Sequence, residues 1–402
     1  MTDLIPVSPA ERLVQSISTA ELERRWKAVR AMMREQSIDY LVMQNQEEYL
    51  GGSARWFTDF GARFEYPMTV IFPIDDEMTV INCGQEPPAT QPYPPMSVAR
   101  GIGTSLGEVY FPTMHYTNTI EGKLAVGVLA GKKNPKIGWV QKAFIPVTFY
   151  EYVVGNLPGA TFVDATEQVD QLRGIKSPEE IEHIKACAVL QDSCIEHLRK
   201  TIKPGMRDYE VYAEAQYFCA KNGSAQGIVL VGSGPLGTPV HFEPYRLQNH
   251  VIRPGDEVSV LIEVNGPCGY YTEISAIFAV EAEPPRLLEE AFATAKECQD
   301  MVAAAMVPGA SPGDLWDMAV AFLTERGYAR PGRSYAHGQG LSLVERPNIR
   351  VDEPWKIAEG MNIAIHPGAS GNGVSAGVCE GFIVGKNGAE RIHKTPREII
   401  RI

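Results

Sequence analysis

Three glutamates stand within apolar stretches in the second half of the chain. Glu263 follows the apolar run 258–262, Glu273 precedes Ile274, and Glu380 lies between Cys379 and another apolar run. A carboxylate in such a strand is unfavourable unless a cation pairs with it or it holds a metal ion. We therefore predict that these glutamates orient water, bind a cationic nitrogen or ligate a metal.

Three histidines lie in segments that suggest chemistry. His241 stands in a proline-rich segment, His337 precedes Gly338, and His366 ends the apolar stretch 363–365. Histidine exchanges protons near neutral pH and also ligates metals. We predict that His241 is a general acid/base, and that His337 and His366 bind a reacting carbonyl or a metal. An exposed loop histidine at 241 and a core histidine at 366 are the ordinary alternatives.

Composition narrows the class of protein. The chain has 402 residues, a net charge of −12, and 44% hydrophobic and 21% charged residues, which favours two globular domains and disfavours nucleic-acid binding. It contains no apolar run of the roughly 18 residues that a membrane span needs. The seven cysteines form no Cys-x-x-Cys pair. We therefore expect a cytoplasmic protein with reduced, buried cysteines and no secretory signal.

The first half of the chain predicts alternating helices and strands. Residues 22–35 have helical periodicity, and residues 103–107 are interpreted as a loop without a phosphate-binding helix. Five short apolar runs predict strands, at residues 40–43, 68–72, 78–82, 136–140 and 160–163. This alternation favours an α/β N-terminal domain.

A domain boundary is predicted near residues 172–176. Ser177, Pro178 and Glu180 follow, and together they form the pattern of a capping box at the start of a helix that runs to Arg199. We therefore divide the chain into an N-terminal domain, 1–171, and a C-terminal domain, 172–402.

The C-terminal domain contains an internal repeat. A Lys-Pro-Gly turn ending at Gly205 and a Val-Pro-Gly turn ending at Gly309 each precede a predicted helix, and a glycine follows 18 residues after each turn, at Gly223 and Gly327. Such a match predicts a duplicated α+β unit with a pseudo-twofold axis. A cleft between the copies is a natural ligand site.

The chain resembles the creatinase/prolidase/methionine aminopeptidase superfamily over nearly its whole length. The resemblance rests on ordered motifs at residues 172–181, 253–256, 269–272, 336–341 and from 360 onward. It implies an α+β protein in which a creatinase-like α/β domain precedes a C-terminal pita-bread domain.

The superfamily's peptidases hold two metal ions with two aspartates, one histidine and two glutamates. Carried over by position, these ligands fall on Ile262 or Glu263, Glu273, His337, His366 and Glu380. Two divalent ions about 3.5 Å apart need short bridging carboxylates. The altered ligand set therefore predicts that no dinuclear centre forms.

The resemblance favours the metal-free creatinase branch over the peptidases. Val344 stands where the peptidases have a histidine, and His241 stands at the position of the creatinase acid/base. Tyr271 belongs to a Gly-Tyr-Tyr-Thr motif shared with that branch and is a candidate substrate-binding residue. Arg63 matches an arginine that binds the substrate carboxylate in the neighbouring subunit's site, which implies a homodimer. Ser275 replaces a creatinase glutamate, so creatine is not the expected substrate.

These observations predict an enzyme that hydrolyses a non-peptide C–N bond in a small carboxylate-bearing compound, without a cofactor. His241, Glu273, His337 and Glu380 would carry the reaction, and Arg63, Glu263, His366 and Tyr271 would bind substrate. One alternative is an enzyme with a single divalent zinc, manganese or iron ion on Glu273, His337, His366 and Glu380, acting as an Xaa-Pro-type peptidase, lyase or decarboxylase. The other is a non-catalytic binding protein.

Overall fold

The computed structural model describes residues 14–45, 50–60, 66–83, 100–242 and 248–402. The chain divides into two compact units, residues 1–173 and 174–402. Within the described part of the chain, no helix is both long enough and apolar enough to cross a bilayer.

The first unit consists of one mixed sheet and its helices. Its helices are Thr19–Glu35 (α1), Ser53–Thr58 (α2), Ile120–Leu129 (α3), Val147–Asn156 (α4) and Thr166–Gly174 (α5), which ends at the boundary. Its strands are Tyr40–Asn45 (β1), Met68–Pro73 (β2), Met78–Cys83 (β3), Ile102–Glu108 (β4), Lys136–Trp139 (β5) and Thr161–Asp164 (β6).

The six strands are ordered β4-β3-β2-β1-β5-β6. Strand β2 is antiparallel to both its neighbours, whereas β5 is parallel to β1 and β6. The apolar sides of α3 and α4 cover the sheet around Trp139 and Phe149. The five predicted strands are confirmed, but the loop predicted at 103–107 is wrong: this segment is β4, paired in parallel with β3. The glycines in this segment argued against a strand, but hydrogen bonds with β3 stabilise one there.

The second unit is built on a larger sheet. Its helices are Pro178–Thr201 (α6), Asp208–Lys221 (α7), Arg286–Ala305 (α8) and Pro312–Glu325 (α9). Its strands are Gly227–Pro235 (β7), Asp256–Val264 (β8), Ile274–Ala279 (β9), Ala336–Gly338 (β10), Glu345–Asn348 (β11), Asn362–Ile365 (β12), Gly368–Gly371 (β13), Val374–Gly377 (β14), Glu380–Gly385 (β15), Gly388–Arg391 (β16) and Ile400–Arg401 (β17).

Seven strands cross this sheet in the order β11-β10-β12-β15-β9-β8-β7, with β16 beside β15 and β17 beside β9. Helices α6 and α7 pack on the half that contains β7, β8 and β9. Helices α8 and α9 pack on the half that contains β10, β12 and β15. The two halves therefore meet where β9 pairs with β15.

The predicted repeat is confirmed in the backbone. Gly205 and Gly309 have φ angles of 92° and 93°, which glycine adopts without the steric penalty of a side chain. The amide of Gly205 donates to the Ile252 carbonyl, and the amide of Gly309 donates to the Ile357 carbonyl, each at 2.8 Å. The two turns therefore make equivalent hydrogen bonds, each within its own half of the sheet. The predicted capping box at the start of α6 is also present, with Ser177 as its first member.

Candidate metal and substrate site

The register of five strands places one row of residues across the sheet. Ile262 pairs with Ile274, Ile274 with Glu380, Glu380 with Ile365, and Ile365 with Ala336. Directly paired residues project to the same face of a sheet, and their neighbours along each strand project to the other. Residues next to this row therefore share the opposite face.

The opposite face gathers the residues that sequence analysis selected. Glu263, Glu273 and His337 flank the row on one side, and Cys379 and His366 flank it on the other. Small residues lie between these side chains. Gly381 is one of them, and no larger residue fits there because a Cβ on Gly381 would lie 2.0 Å from the Thr272 hydroxyl. Ile262 is fully buried in the apolar core. The register thus assigns the first family ligand position to Glu263 rather than Ile262.

Glu273, His337 and His366 form the centre of this cluster. One ligand atom from each lies within 4.8 Å of the other two. The His366 Nε2 and Glu273 Oε1 atoms are 3.9 Å apart, and the two imidazole centroids are 5.2 Å apart. One carboxylate and two imidazoles at this separation can converge on a single ion.

Both imidazoles can present a lone pair to an ion. His337 Nδ1 lies 3.1 Å from the Gly338 carbonyl oxygen, so a proton on Nδ1 leaves Nε2 unprotonated. Burial is the main cause that lowers the pKa of His366 to about 4, which keeps this ring neutral at pH 7. Among the described residues, His366 Nε2 has no hydrogen-bond partner. A buried nitrogen without a hydrogen-bond partner is unfavourable by itself, and it is free to coordinate a metal ion.

Glu263 and Glu273 share a hydrogen-bonded network. The Gln339 amide donates to Glu263 Oε1 at 2.9 Å and to Glu273 Oε2 at 3.4 Å, and the Cys379 thiol donates to Glu273 Oε1 at 2.6 Å. Burial, followed by the neighbouring Glu273 charge, raises the pKa of Glu263 to about 10. Burial works against ionisation of Glu273 too, but the two histidines and the hydrogen bonds from Glu263 and Cys379 lower its pKa. Glu263 therefore holds a proton beside an ionised Glu273.

A cavity of about 310 Å³ opens onto this cluster. Glu273, His366 and Cys379 line it together with His241 and Arg333, and strands β7–β9 and β14 add apolar walls. The structure therefore brings His241 to the same cavity as two members of the cluster. A pocket of this size is typical of small-molecule sites.

Glu380 lies apart from the cluster because the pleat directs it to the other face of the sheet. The Arg391 Nε donates to Glu380 Oε1 at 2.7 Å, and Arg391 Nη2 contacts the same oxygen. The Arg397 Nε lies 3.8 Å from Glu380 Oε2. Arg391 therefore pairs with one oxygen of the buried Glu380 carboxylate, whereas Oε2 has no hydrogen-bond partner among the described residues.

The remaining predicted residues are placed as follows. Tyr271 is fully buried, its hydroxyl donates to Gln226 Oε1 at 3.3 Å, and its amide donates to the Gly340 carbonyl at 2.7 Å. It is not among the residues that line the cavity, and its predicted contact with substrate stays a prediction. Arg63 lies outside the described residues, and its role in a homodimer stays a prediction.

Sequence analysis did not select three residues of this site: Arg333, Gln339 and Cys379. Arg333 lies four residues before His337, a spacing that carries no signal by itself. Cys379 was predicted to be a small buried residue, and it is buried, but its thiol also donates to Glu273. Burial raises the pKa of this thiol, which keeps it protonated as a donor.

The fold and the site define a hydrolase of a known family. Residues 182–393 match the model of metallopeptidase family M24, and residues 25–175 match the creatinase/prolidase N-terminal domain. The chain belongs to family M24. Its predicted α+β class and pita-bread C-terminal architecture are confirmed.

Relatives and solved structures agree with this membership. The Xaa-Pro dipeptidase of Pyrococcus furiosus is 27% identical over 245 residues, which cover 60% of this chain and 68% of that protein. The hydrolase/peptidase y4tL of Sinorhizobium fredii is 27% identical over 409 residues, 96% of this chain and 97% of that one. The structure of the Xaa-Pro dipeptidase from Bacillus anthracis has a TM-score of 0.74 at 22% identity, covering 95% of this chain and 100% of that one. The comparisons do not support a closer likeness to metal-free creatinase, nor an enzyme without a metal.

Proposed function

We propose that this protein is a metal-dependent hydrolase that cleaves an amide C–N bond in a small peptide-like substrate. The observation that carries the proposal is the convergence of Glu273, His337 and His366, of which Glu273 and His366 line the cavity described above. The relatives named as Xaa-Pro dipeptidases make dipeptides that end in proline the first substrates to test.

The three residues fit one ion. Two imidazoles and one carboxylate are a donor set that catalytic zinc sites use, with a further position open to water or substrate. The same set also suits manganese or iron. The unpartnered His366 Nε2 supports this fit.

Fewer side chains are available to ligate a second ion. Glu380, which the family resemblance assigns to the metal centre, is held by Arg391 on the other face of the sheet. Glu263 accepts a hydrogen bond from the Gln339 amide at 2.9 Å and is hydrogen-bonded to Glu273, so its carboxyl group is already engaged in positioning Glu273. We therefore propose a single-metal centre.

The chain's own groups would divide the remaining work. A bound ion would supply Lewis-acid polarisation of the scissile carbonyl and acidify a water molecule. His241, on the cavity wall, would transfer a proton to the leaving nitrogen. Glu263, Gln339 and Cys379 would hold Glu273 in its ionised state and in one orientation.

A second candidate is hydrolysis of a non-peptide C–N bond. It is favoured by Val344, which replaces the histidine of the family's peptidases and cannot hydrogen-bond a tetrahedral intermediate. In the structure this side chain is 56% exposed and does not line the cavity. His241 would remain the proton-transfer group in this reaction.

The experiment combines metal content with a substrate panel. Protein purified without chelators would be analysed for metals and tested against Xaa-Pro dipeptides, other dipeptides, and amidino and N-acyl acids. We expect about one ion per chain, and turnover that is lost on chelation and restored by one equivalent of metal. Turnover that persists in fully metal-free protein would contradict the proposal. Preference for the amidino compounds would select the second candidate.

A further inference from the structure

Arg333 is a cation in the wall of the cavity. It lies in the segment that leads into β10, four residues before His337, and its side chain is exposed. Among the described residues, no carboxylate or other acceptor lies within hydrogen-bonding distance of its guanidinium. An arginine in a cavity wall with its five donors unengaged can bind an incoming anion.

Several other arginines of this unit are paired with carboxylates. Arg346 pairs with Glu353, Arg391 with Glu380, and Arg397 with Asp300. These pairs stabilise the sheet and its connections. Arg333 has no such partner within the described part of the chain, and its side chain lines the cavity.

The charge of Arg333 reaches the cluster. Burial raises the pKa of Glu263 and the charge of Arg333 opposes that rise, whereas burial lowers the pKa of His366 and the charge of Arg333 adds to that fall. A substrate could therefore contact Arg333 and the metal cluster together. An anionic group on that substrate would avoid the ionised Glu273 and turn toward the guanidinium.

We propose that Arg333 binds the carboxylate of the substrate and thereby selects compounds that carry a carboxylate close to the scissile amide. This inference rests on the proposed function and adds to it the residue that recognises the anion. Guanidinium and carboxylate form a bidentate pair whose planar geometry orients the substrate. Lysine at this position would keep the charge but lose that geometry.

The test compares Arg333→Gln and Arg333→Lys with wild type. The matched control is Arg330→Gln, because Arg330 is exposed in the same segment, does not line the cavity and lies 6.0 Å from the Trp316 ring. Two probes separate binding from catalysis: calorimetric binding of N-acetylproline and of its uncharged amide, and hydrolysis of Ala-Pro and of Ala-prolinamide. Melting temperatures would verify that all variants fold.

We expect Arg333→Gln to weaken N-acetylproline binding, and to raise KM for Ala-Pro, by roughly 10- to 100-fold, as for a lost hydrogen bond to a charged group. Arg333→Lys should weaken binding and raise KM by less than Arg333→Gln does. Arg330→Gln should behave like wild type, and the uncharged probes should respond little to any of these substitutions. Equal N-acetylproline affinity in wild type and Arg333→Gln, or no binding by wild type, would overturn the inference. Binding that depends on Arg333 without hydrolysis of any amide would support it and reject the proposed function instead.

Discussion

Glu273 and Glu380 project from opposite faces of one sheet, although Glu380 pairs directly with Ile274, the residue after Glu273. Sequence analysis placed both glutamates in one site. In the structure, two histidines lie beside Glu273, whereas two arginines lie beside Glu380. The two carboxylates should therefore respond differently to the same substitution.

Metal binding should depend on Glu273 and not on Glu380. Glu273→Gln removes a charged ligand atom from the cluster, so we expect at least a 10-fold loss of metal affinity. Glu380→Gln alters the opposite face and should leave about one ion per chain. Competitive titration against a chromophoric chelator measures both affinities. Loss of the ion in Glu380→Gln, with unchanged circular dichroism, would show that Glu380 is a ligand.

The ion pair between Arg391 and Glu380 should stabilise the second unit. Arg391→Gln leaves a carboxylate that is 3% exposed with only the more distant Arg397, so we expect the free energy of unfolding to fall by about 3 kcal/mol. The double variant Arg391→Gln, Glu380→Gln should recover part of that loss, since no buried charge is left unpaired. Urea denaturation of wild type, both single variants and the double variant gives the coupling energy. A coupling energy near zero would mean that the pair adds nothing.

A buried glutamate in the first unit should make stability depend on pH. Glu121 is buried, accepts a hydrogen bond from the Gln44 amide at 2.9 Å and another from the Thr69 hydroxyl, and burial raises its pKa to about 7. Below pH 4.5 its carboxyl is neutral in both the folded and unfolded states. Between pH 4.5 and 7 only the unfolded state ionises, so the free energy of unfolding falls as pH rises, by roughly 3 kcal/mol in total.

The variant Glu121→Gln isolates this effect. It should match wild type near pH 4.5 and become the more stable protein above pH 7, because glutamine does not ionise. Urea unfolding curves from pH 4.5 to 8, followed by the fluorescence of the buried Trp139, measure the difference. Parallel pH profiles for the two proteins would show that Glu121 does not titrate in this range.

His241 should contribute to turnover and not to stability. It is exposed at the cavity wall, so His241→Asn removes a proton-transfer group without disturbing a packed core. We expect turnover to fall by roughly 10²- to 10⁴-fold with an unchanged melting temperature. His115→Asn, an exposed histidine of the first unit, is the control. Normal turnover in His241→Asn would mean that another group transfers the proton.

Much of the fold could be predicted from local sequence. The capping box at Ser177 and the two Pro-Gly turns depend on residues a few positions apart, so their signals are complete within short segments. The strand at 102–108 could not be predicted, because its stability comes from pairing with β3 rather than from its own glycine-containing sequence.

The sequence by itself determined the duplicated unit and showed that Glu263, Glu273, His337 and His366 stand in or beside buried strands. Only the tertiary structure decided which of them meet. The face to which each side chain projects follows from the register between strands that are about 100 residues apart, and a shift of one residue reverses it. Register therefore placed Glu380 beside Arg391 on the face opposite Glu273, and no local pattern in the sequence predicts this arrangement.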